Sequence, residues 1–83
     1  MNESDLTEFN NLLKEVLRDT LQKKGLTVSV LASRLQMPEE TLQIIFSNPI
    51  NARGPDLFTV LQTLNLYQNF IELSAKHLKT PIT

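Results

Sequence analysis

Thr27 to Phe46, TVSVLASRLQMPEETLQIIF, decides the fold, because it reads as two short helices joined by a tight turn. The hydroxyl of Thr27 can cap the first helix, and Val30, Leu31, Ala32 and Leu35 supply an inner face at helical spacing. Pro38 suits the first turn of the second helix, where a missing N–H costs nothing, and Leu42 and Ile45 then face back onto the first. Ala32 stands where two steeply crossing axes come closest, a place that only a small side chain fits. The expected arrangement is a helix-turn-helix.

Upstream of it, Leu6, Phe9, Leu13, Val16 and Thr20 follow a three-four spacing with Leu12, Leu17 and Leu21 on the flank. That pattern predicts one amphipathic helix over about residues 5 to 24. Ser4 or Asp5 would cap it, Asp5 and Glu8 against Lys23 and Lys24 suit its macrodipole, and Gly25 stops it. The seam is too short for a sustained coiled coil, so packing inside the domain is the better reading. Lys14, Arg18, Lys23 and Lys24 read as its solvated face.

Downstream, SNPINARGP (47–55) is dense in Asn, Pro and Gly and reads as a loop with its backbone open to contact. Pro55 at the first helical position and Asp56 in the first turn open a fourth helix, with Leu57, Phe58, Val60, Leu61 and Leu64 inward. Thr59, Gln62 and Thr63 face outward, and Asn65 is a residue that accepts a left-handed cap. In LYQNFIELSAKHLK, a helical face over about 67–79 competes with a weaker strand-like alternation of Tyr67, Asn69, Ile71 and Leu73. The helix is the expected outcome, ended by Pro81, with Thr80 to Thr83 fraying.

At 83 residues the chain holds one domain, 1–83, with the motif at 27–46 and the 66–79 segment left to find cover. Leu66, Tyr67, Phe70, Ile71 and Leu73 are more apolar surface than four helices of this size readily bury, so a homodimer through them is expected. No run approaches a membrane span, and the acidic start MNESDLTEF lacks the basic beginning of a signal peptide, which points to a cytoplasmic protein. Without cysteine, and with His77 as the one histidine, neither a disulfide nor a zinc site can be assembled. His77 reads as a solvated residue near a helix end. Catalysis is not expected either. There is no glycine-rich phosphate loop, and the adjacent Glu39 and Glu40 point about 100° apart on a helix. No cofactor is implied.

The order of features is more specific than any one of them: a long first helix, T-x-x-x-L-A-x-x-L, a turn, T-L-x-x-I, a loop, then L-F-x-V-L-x-x-L-x-L. Over about residues 6 to 66 this resembles the Cro/C1-type (Xre, lambda-repressor-like) helix-turn-helix family. The resemblance implies an all-α, five-helix domain that binds double-stranded DNA and regulates transcription. The run FSNPINARGPDLFTVLQTLNL is similar to the antitoxin of high-persistence toxin–antitoxin modules, through Phe46, Asn48, Pro49 and Asn51 and through Phe58, Leu61, Gln62 and Leu64. That likeness implies a homodimer that represses its own operon and binds a kinase-type toxin.

Departures from the family pattern fall on the surface that would read DNA. Val28 stands where a phosphate-bonding Gln is common, and Gln36 where the turn usually has Gly, so a looser turn is expected. Glu39 and Glu40 open the recognition helix, followed by Gln43 and Ile44 at base-facing positions. A carboxylate can accept from the amino group of cytosine, but near phosphates it opposes binding. Net charge is −1, so bases would have to cluster on one face. The candidate DNA contacts are Arg34, Glu39, Glu40, Gln43, Ile44, Ser47, Asn48, Asn51 and Arg53, with Arg53 the first choice for a phosphate. Two functions follow: a DNA-binding regulator acting as a homodimer on a two-fold operator, or a protein that keeps the scaffold and binds another protein through Glu39, Glu40, Gln43 and Ile44.

Overall fold

The structure, a computed structural model, describes residues 3–77. It is all-helical: α1 (Glu3–Lys23), α2 (Val28–Leu35), α3 (Glu39–Ser47), a 3-10 turn at Pro49–Asn51, α4 (Gly54–Thr63) and α5 (Tyr67–His77). The helical reading of the last segment holds through His77. Its expected end near residue 79, Pro81 and the fraying tail lie outside the described residues. So does the His77 side chain.

Three of the helices end in the same way. Gly25 takes φ +67, its amide donates to the Gln22 carbonyl at 2.9 Å, and the Leu26 amide donates to Leu21 at 3.0 Å. Asn65, at φ 60, repeats this with Gln62 at 3.1 Å while Leu66 reaches Leu61 at 2.7 Å. Gln36, at φ 55, does so with Ser33 at 3.3 Å and Met37 with Ala32 at 3.0 Å. These paired bonds satisfy carbonyls that a helix end leaves open, and the apolar residue after each left-handed position folds back onto the core. The turn between α2 and α3 is therefore as tight as one built on glycine, contrary to expectation, because Gln36 adopts the left-handed conformation itself.

Local signals at the starts of helices fare unevenly. Thr27 Oγ1 accepts from the Val30 amide at 3.1 Å, as expected for the cap of α2. Pro38 stands just ahead of α3 rather than inside it, offering its carbonyl to the Thr41 amide at 3.1 Å. Ser4 and Asp5 lie within α1, which already runs from Glu3, so neither is its cap.

The core gathers Phe9, Leu13, Leu17 and Leu21 of α1, Leu31 and Ala32 of α2, Leu42, Ile45 and Phe46 of α3, and Val60, Leu61, Leu64 and Leu66 beyond. On α1 the buried stripe thus runs in steps of four, not along the Leu6–Val16–Thr20 seam. Each such step drifts by about 40°, so the buried face turns by roughly 120° from Phe9 to Leu21. It meets α5 at one end, where the Phe9 and Phe70 rings lie edge to face at 5.8 Å, and α3 at the other. A single seam would have suited one partner; α1 packs against α5, α3 and the 3-10 turn.

Other expected core positions shift for similar reasons. Val16 and Leu35 are half-buried against the core. Val30 is 42% exposed, and Val28 takes its place on the inner face of α2. Phe58, also expected inside, is 42% exposed because Leu57, Val60, Leu61 and Leu64 already fill the arc that α4 turns inward. It stacks edge to face on Tyr67 at 5.0 Å instead. Leu66 is buried in its own core, and Phe70 and Leu73 pack against it. The apolar surface of the 66–73 segment is therefore mostly covered by α1, leaving Tyr67 and Ile71 exposed.

Candidate nucleic-acid interface

Where α3 meets the loop, the backbone is interrupted and α1 repairs it. In a continued helix the Phe46 carbonyl would accept from the Ile50 amide. Asn48 instead leaves helical space at φ −152, and Pro49, buried, has no N–H to offer. Both separated groups find partners on α1. Arg18 Nε donates to the Phe46 carbonyl at 3.1 Å, and Asn10 Oδ1 accepts from the Ile50 amide at 3.1 Å. Arg18 is thus no idle member of a solvated face. The end of α3 and the start of the loop are pinned to two points, two turns apart, on the longest helix.

This pinning fixes a surface. Glu40, Gln43, Ile44 and Ser47 of α3, with Asn48 and Asn51 of the loop, line one open groove. Six of the nine residues expected at the interface are thereby brought together. Arg53 stands in an adjoining cleft with Thr41, Ile44, Asn51, Ala52 and Asp56, while its carbonyl receives the Leu57 amide as α4 begins. On the other side of α3, Arg18, Gln22 and Val28 face Gln43 and Ser47 across a second groove. Arg34, exposed in the last turn of α2, borders none of these three.

The two acids separate. Glu39 Oε1 accepts from the Ser29 hydroxyl at 2.8 Å, tying the start of α3 to α2, whereas Glu40 lines the groove itself. Both lie in the first turn of α3, where negative charge favours the helix. Its last turn carries no base of its own, and Arg18 supplies one from α1.

Sequence reasoning missed Arg18 and Asn10. The signal that would have found them is Pro49, which guarantees unpaired backbone groups at the end of α3 and so calls for donors and acceptors from a neighbour. Val28, noted as a departure from a phosphate-bonding Gln, is half-buried and serves the core. Among the described residues no group of histidines and carboxylates could hold a metal, and no helix is long and apolar enough to cross a membrane. Compared with known proteins, the chain matches no family model, no curated protein and no solved structure.

Proposed function

We propose that this protein is a DNA-binding transcriptional regulator of the Cro/C1-like helix-turn-helix kind, with α3 as its recognition helix. The observation that carries the reading is the groove along α3, whose Gln43 and Ser47 continue into Asn48 and Asn51 of the loop with Arg53 beside them. Amide and hydroxyl groups of this kind hydrogen-bond base edges, Gln and Asn with adenine above all, and an adjacent guanidinium takes phosphate. A homodimer on a two-fold operator completes the reading, since one recognition helix reads only a half-site. Through the antitoxin likeness, a kinase-type toxin is the protein partner it would carry.

The test is a titration against the duplex upstream of its own gene and against random duplex, at several salt concentrations, with the parent and Glu40→Gln. Specific binding should exceed random binding, both should weaken with salt, and the variant should bind random duplex more tightly by loss of a charge near the phosphates. Absence of salt-dependent binding in parent and variant alike ends the DNA reading.

One observation favours a second reading. Ile44, at the middle of the groove, is 50% exposed beside Glu40, an apolar and acidic pair suited to a basic, partly apolar protein surface. In that case Glu40→Gln and Ile44→Ser would weaken a protein complex while duplex binding stayed negligible.

A further inference from the structure

We propose that Arg18 is a positioning and phosphate-contact residue of the recognition helix: Nε holds the end of α3 while the rest of its guanidinium takes a phosphodiester oxygen. The inference rests on the DNA reading of α3 for its second half and stands on the protein alone for its first.

The anchoring half follows from the broken bond between Phe46 and Ile50. Arg18 Nε occupies the Phe46 carbonyl at 3.1 Å, and a planar guanidinium used at this edge keeps its remaining N–H groups as donors in a fixed direction. Those groups belong to a side chain that lines the groove between α1 and α3, together with Gln22, Gln43 and Ser47. Ser47 and Gln43 also line the central groove, and Ile44 and Asn51 connect that groove to the cleft of Arg53. The exposed face of α3 therefore carries one guanidinium on each side. A helix in a major groove about 12 Å wide has a sugar–phosphate strand at either lip. Arg53 serves one lip and Arg18 the other, which gives an acidic recognition helix the two-sided positive frame that its own sequence lacks.

Arg18→Lys and Arg18→Met separate the two roles. Hydrogen exchange of the free protein reads the anchor: in Arg18→Met the amides of Phe46, Ser47 and Asn48 should exchange roughly five- to tenfold faster than in the parent, because methionine offers no donor to the Phe46 carbonyl. Titration of a random duplex about two helical turns long, across salt, reads the phosphate contact. Arg18→Met should make the salt slope shallower by about one, whereas Arg18→Lys, which keeps the charge, should preserve it. Unchanged exchange at those amides overturns the anchor, and an unchanged slope in Arg18→Met overturns the phosphate contact. If the parent itself shows no salt-dependent duplex binding, the DNA reading and the phosphate contact fall together, while the exchange result still decides the anchor.

Discussion

Exchanging side chains between two left-handed positions should move stability in opposite directions by similar amounts. Gln36 holds φ 55 and Gly25 holds φ +67, each closing a helix with the same pair of backbone bonds. A residue with a Cβ in this conformation is strained by about 1 to 2 kcal/mol. Glycine avoids the strain but loses roughly 0.4 to 1 kcal/mol through the greater freedom of its unfolded chain. The difference leaves Gln36→Gly more stable by about 0.8 kcal/mol. At Gly25 an added Cβ meets nothing within 4 Å, so Gly25→Ala introduces the strain without a clash and should be less stable by about the same. In a domain of this length each change corresponds to about 3 to 6 °C in Tm. Urea unfolding followed by circular dichroism should show the midpoints moving apart with the slope m constant. A destabilised Gln36→Gly would mean that the Gln36 side chain contributes more than its backbone conformation costs, and the account of this turn would be wrong.

Other outcomes are as definite. Leu31 is fully buried, so Leu31→Ala should cost about 2 to 5 kcal/mol in denaturant unfolding, and a loss under about 0.5 would place it at the surface. Arg53→Ala should lower affinity for every duplex about equally, with a salt slope shallower by about one. A double-mutant cycle of Phe58→Ala and Tyr67→Ala should give a coupling of about 0.5 to 1 kcal/mol from their edge-to-face contact; additive losses would show that the rings do not stack in solution. For the proposed homodimer, the exposed apolar residues on α4 and α5 are Phe58, Tyr67 and Ile71. Sedimentation at tens of micromolar should find a dimer that Phe58→Ser with Ile71→Ser converts to a folded monomer.

Much of this could be read from the sequence because the deciding signals are local. Thr27 caps, Gly25 and Asn65 stop, and the apolar spacing marks each helix within a few residues. Gln36 is harder to read because it is neither the glycine nor the asparagine that marks a left-handed stop; the sign shared by Gly25, Gln36 and Asn65 is the apolar residue that follows each, Leu26, Met37 and Leu66. Phe58 lies outside because α4 offers more apolar positions than its inner arc can hold, and spacing alone does not say which one yields. The grouping of six candidate contact residues along one groove is legible, since one helix face and the loop after it are neighbours in sequence. The Asn10 and Arg18 bonds were not, since they join positions whose proximity exists only after α1 has packed across α3.

Those two bonds also bear on how the chain comes into being. Asn10 reaches a partner 40 residues ahead and Arg18 one 28 ahead. At a synthesis rate of about 5 to 20 residues per second, the whole of α1 is made roughly one to five seconds before Ile50, whereas a helix of its length forms in about a microsecond. For those seconds the leucine stripe of α1 lacks the helices that later cover it, an apolar face open to a chaperone until α3 and α5 are made.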